Sequence, residues 1–219
     1  MGGFKNESYN TIFEQNLFNL IILHISQCCK AMKSDCHETK NLLPNHEDKI
    51  SNRLVACYLN TSIKGVKFTR ENPEGFDADT DKFTGRTDIR IVSSDWLNGN
   101  NEAYYTIEAK RIDGNPRLNQ EYISEGVSRF LTPSPPKYSS YYGKNIMLGY
   151  VVQAIDISEN AEQVDKLQRN LLVDFTIGDM ELACEDGRGF SRYQCLYQAH
   201  GDLNVELTHL FYDFSDVIA

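Results

Sequence analysis

The run IMLGYVVQAI, residues 146–155, contains no charged side chain and one amide. An apolar stretch this unbroken reads as a central strand covered on both faces, so the chain must supply helices to both sides of a sheet. Helical patterns are present on either side of it. Residues 8–33 carry apolar residues at helical spacing and predict one or two helices. Pro44 ends this part, and Asn45 is the expected N-cap of a further helix reaching about Leu59. LNQEYISEGVSRFLT (118–132) is an amphipathic helix with Ile123, Val127 and Phe130 on its apolar face, and SENAEQVDKLQRNLLVDF (158–175) is a helix capped by Ser158.

Strands fill the remainder. DIRIV (88–92) joins AYYTIEAKRI (103–112) through the turn NGNN, and RYQCLYQAHGDLNVELTHLFYDF (192–214) alternates as two strands about a Gly-Asp turn. RENPEGFDADTDKFTGRTD (70–88) is polar and turn-rich, hence a loop or an irregular hairpin. No repeat or low-complexity tract divides the chain. The expectation is one α/β domain over 1–219, a central mixed sheet flanked by helices. It has an N-terminal helical part (1–44), a core bearing the motifs (45–175) and a C-terminal hairpin (190–219).

A formal net charge of -9 argues against coating nucleic acid through the whole surface, but leaves room for a local site or a basic partner subunit. The first ten residues, MGGFKNESYN, lack a signal-peptide pattern, and LFNLIILHI is too short to span a bilayer. The cytoplasm is therefore expected, without membrane contact. Six cysteines without framework spacing read as reduced core residues. Cys28, Cys29, Cys36 and His37 match no common zinc spacing, and His200 and His209 read as structural.

The hairpin at 85–112 raises the functional question, because it holds Asp88, Glu108 and Lys110 in strands headed for a core. Glu108 and Lys110 share one face and Ile107 and Ala109 the other, while Asp88 lies opposite the Ile89/Ile91 face. Antiparallel pairing brings Asp88 toward Glu108 and Lys110 at one end of the hairpin. Two carboxylates so placed repel unless a cation lies between them, and Mg²⁺ suits few carboxylates with several retained waters. Glu-x-Lys also occurs on solvated strands, so the pattern alone leaves both readings open.

GRTDIRIV followed by YTIEAKRI resembles the Asp…Glu-x-Lys motif of the PD-(D/E)XK nuclease superfamily, which has the restriction-endonuclease-like fold. In that fold a helix with an acidic residue precedes the hairpin, and a helix and another buried strand follow it, the order met here. HEDKISNRLVACYL offers Glu47, since Glu47, Ile50, Leu54 and Tyr58 form one helical stripe, with Asp48 turned away by about 100°. Thr87 stands where the namesake proline would be, at a position the superfamily keeps loosely. The motif order spans about residues 45–155.

The resemblance implies a metal-dependent nuclease hydrolysing phosphodiester bonds, DNA favoured. Asp88, Glu108 and the backbone carbonyl of Ala109 would bind Mg²⁺, with Mn²⁺ able to substitute. Glu47 would bind or orient a second ion or its waters, and Lys110 would position or activate the attacking water. Tyr122, Glu125 and Arg129 share a stripe of the following helix, either as groups near the cleft and phosphate or as a surface Glu125–Arg129 pair. Lys137 and Lys144, set among Tyr138, Tyr141 and Tyr142, suit nucleic-acid contact or partner docking. The block from YISEGVSRF to MLGYVV also resembles nuclease-fold proteins of bacterial anti-phage systems, which implies an effector subunit working with protein partners or as a homo-oligomer. The alternatives are a non-catalytic interaction subunit that keeps the fold, and a metal enzyme for another phosphate ester.

Overall fold

Between Glu7 and Leu43 the sequence has neither glycine nor proline, and a single helix, α1 (Glu7–Thr39), uses nearly all of it. Lys40, left-handed at φ 57°, ends it. The computed structural model describes residues 7–61, 63–78, 81–93, 104–131, 143–187, 189–198 and 204–219. Along α1 the stripe Phe18, Ile21, Ile25, Cys29 and Met32 is buried at helical spacing. Helix α2 (Glu47–Leu54) follows and runs into a π-helical turn, Val55–Leu59. Its N-cap residue is His46, not the expected Asn45. Asn45 instead accepts the Arg111 guanidinium on both its backbone and side-chain oxygens, at 3.0 and 2.9 Å, a charged donor displacing a helical N–H.

The next elements are β1 (Val66–Asp77), β2 (Lys82–Ser93), β3 (Tyr104–Ile112), α3 (Pro116–Ser124), a 3₁₀ turn (Val127–Phe130), β4 (Lys144–Val151) and α4 (Ile157–Leu171). They are followed by β5 (Thr176–Ile177), β6 (Glu181–Glu185), β7 (Phe190–Gln198), β8 (Asn204–Asp213) and a last 3₁₀ turn (Ser215–Val217). The strands order as β1-β2-β3-β4-β8-β7-β5, with β6 paired to β7. β4 lies parallel to both β3 and β8, and the outer pairs are antiparallel. The sheet is therefore mixed, as expected, and the terminal hairpin is β7–β8.

β4 is buried from Asn145 to Val151. Ile146, Leu148 and Tyr150 join the core half with α1 and α2, while Met147 and Val151 join the half with α3 and α4. The two-sided cover inferred from IMLGYVVQAI is thus present.

One open alternative is decided and several expectations are corrected. The turn-rich segment from Arg70 takes the hairpin alternative, since β1 and β2 pair from Val66↔Ser93 to Asp77↔Lys82. Pro73 is tolerated because β1 is the sheet's edge. The helix expected over 118–132 stops at Ser124; Gly126 leaves the helical path at φ -114° and ψ -84°, in a space where a Cβ would run into the Tyr122 carbonyl oxygen and Met147 Cε. Helix α4 begins earlier than Ser158, because the Asp156 carboxylate accepts from Glu159 N–H at 2.9 Å and takes the cap. Cys57 and Cys184 are exposed, not core residues. The NGNN turn and the loop with Lys137, Tyr138, Tyr141 and Tyr142 lie outside the described residues. Among the described residues no helix is long and apolar enough to cross a membrane.

Candidate active site

Strands β2 and β3 pair from Val92↔Tyr104 to Ile89↔Ile107. The same register carried one step further sets Asp88 opposite Glu108, but there the ladder ends and the strands part. Beyond Ile107, alternate N–H groups of β3 face the gap and still require acceptors. Asp88 Oδ2 takes the Ala109 N–H at 2.8 Å, and Glu47 Oε2 takes the Arg111 N–H at 3.2 Å. Two carboxylates, from β2 and α2, thus occupy ladder positions that a longer β2 would have filled.

Glu108 projects to the α3 side of β3 and is 0% exposed. Its Oε1 accepts from Lys110 Nζ at 2.9 Å and from Arg129 Nη1 at 2.8 Å. Lys110, 8% exposed, also donates to Glu47 Oε1 at 3.0 Å and to the Ala109 carbonyl at 3.1 Å. An ammonium has three protons, and here it has three acceptors. The fork brings Glu47, Asp88, Glu108, Ala109, Lys110 and Arg129 into one connected cluster.

Burial raises the Glu108 carboxyl to about 7, and nearby Asp88 adds to this while Lys110 and Arg129 oppose it. Burial also raises Glu47, against the pull of Lys110. Burial alone would lower the Lys110 pKa, but Glu108, Glu47 and Asp88 together outweigh it and hold it raised. The ammonium is therefore the firmer charge, fixed by several acceptors. Glu108 is the group that a change in its surroundings neutralises.

The outlying candidates divide. Arg129 reaches Glu108 from the 3₁₀ turn, a position off α3, so the Glu125–Arg129 helical pair does not form and Glu125 stays exposed. Tyr122 is 0% exposed and bonds His209 Nδ1 at 2.9 Å. A ring so enclosed has no surface for a nucleic acid, which corrects its expected place near the cleft. Lys144 is held by Gln15 at 2.6 Å and Glu206 at 3.4 Å, at the start of β4. Asp48 points away from the cluster, as its helical offset implies, and meets Arg70 Nη2 at 3.3 Å. Arg70 was not legible as a site neighbour, because it lies in a segment whose composition resembles a loop.

Among the described residues no three His, Cys, Asp or Glu side chains form a ready group of metal ligands. Glu47 is turned to Lys110 and Arg111. What fits a divalent ion is the smaller set of Asp88, Glu108 and the Ala109 carbonyl, all hard oxygens at the parted edge. Mg²⁺ keeps several waters and needs only one or two carboxylates from a protein. Burial, and after it the charge of Asp88, raises Glu108, and an ion between the two carboxylates would offset both. No family model, curated protein or solved structure matches this chain.

Proposed function

We propose that this chain is a Mg²⁺-dependent nuclease with a restriction-endonuclease-like core, DNA being the favoured substrate. The observation that carries the reading is the fork between β2 and β3. There, one step beyond the last β2–β3 pair, the Asp88 carboxylate caps the Ala109 N–H beside buried Glu108, and Lys110 stands next to them with its ammonium fixed. A solvated Glu-x-Lys pair would not be buried, nor would it need carboxylates to finish a strand's hydrogen bonding.

Asp88, Glu108 and the Ala109 carbonyl would hold the ion, with Mn²⁺ able to replace it. When bound, the ion supplies Lewis-acid stabilisation of charge on a phosphoryl oxygen. Lys110, protonated in this setting, would release the Ala109 carbonyl to the ion and turn that proton to the attacking water, and its charge stabilises the phosphate as the phosphorus–oxygen bond breaks. Glu47 fixes the Lys110 ammonium and the Arg111 N–H, and so sets the direction from which Lys110 approaches. Arg129, with a side chain 31% exposed, can exchange Glu108 for a phosphate. The net charge of -9 disfavours tight binding to nucleic acid unaided, so a partner subunit or second copy is part of the proposal.

A second reading has its own support. Lys110 and Arg129 already neutralise Glu108 without any metal, which suits an interaction subunit that keeps the fold and no chemistry. The test is incubation of the purified protein with circular DNA, linear DNA and RNA in Mg²⁺ or Mn²⁺, beside Glu108→Gln and Lys110→Met. Metal-dependent cleavage reduced at least about 100-fold in both variants supports the nuclease. Wild-type rates in both variants would remove the site. Absence of cleavage together with absence of Mn²⁺ binding would favour the interaction subunit.

A further inference from the structure

Arg70 is on β1, and its side chain is 13% exposed. Each of its three guanidinium nitrogens has a partner. Nε donates to Asn52 Oδ1 at 2.8 Å, Nη1 to the backbone carbonyl of Asp88 at 2.9 Å, and Nη2 to Asp48 Oδ1 at 3.3 Å. Asn52 and Asp48 are on α2, and Asp48 directly follows Glu47. One planar group therefore ties the helix that carries Glu47 to the main chain of Asp88.

The backbone gives this contact its purpose. The β1–β2 register passes from Arg70↔Ile89 to Asn72↔Thr87. Glu71, between them and level with Asp88, is left-handed at φ 55°, far from strand geometry. The edge strand thus departs from its regular path beside the residue that must aim a carboxylate at Ala109. On the other side the β2–β3 ladder has just ended. Asp88 lies between two interrupted ladders, and Arg70 supplies a fixed donor to its carbonyl.

We propose that Arg70 is a positioning residue, holding Asp88 and the Glu47 end of α2 in mutual register so that both carboxylates reach the open edge of β3. The inference rests on the reading of Asp88 as a metal ligand, and it adds a group that touches neither ion nor substrate. Lysine cannot replace it, because an ammonium lacks the planar fork that spans three acceptors on two elements. Partners that orient metal ligands typically account for about 10–100-fold in metal affinity.

The experiment compares wild type, Arg70→Lys, Asn52→Ala and Asp88→Asn by Mn²⁺ titration calorimetry, by urea denaturation and by amide hydrogen exchange of the metal-free protein. Asn52 is exposed, so its truncation removes one guanidinium partner without threatening the core. The expected result is Mn²⁺ binding about tenfold weaker in Arg70→Lys, a smaller loss in Asn52→Ala, and abolition in Asp88→Asn. Exchange at the Ala109 amide is expected to quicken by about tenfold in Arg70→Lys, while that of Ile107 stays near wild type. A structural role alone would lower the urea midpoint and quicken all of β3 together. Unchanged Ala109 exchange in Arg70→Lys overturns the proposal. If wild type fails to bind Mn²⁺, the metal reading falls, and Ala109 exchange still decides the role of Arg70.

Discussion

Glu108 has no access to water, and a carboxylate in that position persists only with its charge answered. Two cations converge on one of its oxygens, Lys110 at 2.9 Å and Arg129 at 2.8 Å. They differ in where they come from and in exposure. Lys110 keeps Glu47 and the Ala109 carbonyl if it leaves Glu108, whereas Arg129 comes from a 3₁₀ turn with part of its side chain in solvent. A divalent ion at Glu108 and the Ala109 carbonyl would therefore compete with Arg129 as well as with Lys110. Arg129→Gln is expected to bind Mn²⁺ about three- to tenfold more tightly, the removal of one charge-assisted contact, and to bind DNA more weakly. The titration belongs at pH 8.5, above the Glu108 pKa of about 7, so that protonation does not mask the gain. Weaker Mn²⁺ binding by the variant would show that Arg129 assists the ion.

The turn bearing Arg129 exists because of Gly126. Hydrophobic spacing runs through Ile123, Val127 and Phe130 without a break, and all three are buried, so the sequence supports a continuous helix. The break falls at Gly126, whose packing against Met147 on β4 leaves no room for a side chain, a contact that local spacing does not show. Gly126→Ala is expected to lose about 1–3 kcal/mol in urea denaturation and to weaken any Arg129-dependent DNA binding. An unchanged urea midpoint would mean that the turn absorbs a methyl group freely. Other elements divide along the same line between local and distant causes. Asp88, Glu108 and Lys110 were legible as a group because strand alternation is a local rule, and Glu47 through the motif resemblance, with helical spacing giving its direction. β1 was legible only as one of two alternatives, because Pro73, Gly75 and its acids suit a loop or an irregular hairpin, and pairing with β2 decides for the hairpin. The cap of α2 moved from Asn45 to His46 for a similar reason, since the competing donor, Arg111, comes from β3. Register, the fact that puts Asp88 opposite Glu108, is also a property of two strands together.

Across the whole molecule the sheet divides the core in two, and His209 of β8 lies in the half beneath α3 and α4, 0% exposed. Its ring bonds Tyr122 at Nδ1 and Tyr197 at Nε2, at 2.9 and 3.2 Å. Burial lowers its pKa from 6.5 to about 3. Between those values the unfolded chain binds a proton that the folded chain refuses, so stability present above pH 6.5 is lost as pH falls toward 3. The slope is at most about 1.4 kcal/mol per pH unit. Glu108 has the opposite sign. Its folded pKa of about 7 lies above the ordinary 4.5, so the stability it contributes is complete below 4.5 and is lost as pH rises through 7. In metal-free protein the two groups, both on the α3 side of the sheet, offset each other between pH 6.5 and 4.5. Urea denaturation in EDTA across this range separates them. Glu108→Gln is expected to lose stability on acidification from pH 6.5, because the His209 contribution is then unopposed. His209→Gln is expected to hold or gain stability down to pH 4.5, below which Glu108 becomes protonated in the unfolded chain as well. If both variants follow the wild-type slope, neither group titrates as its burial implies, and the charge at the fork is set by something other than desolvation.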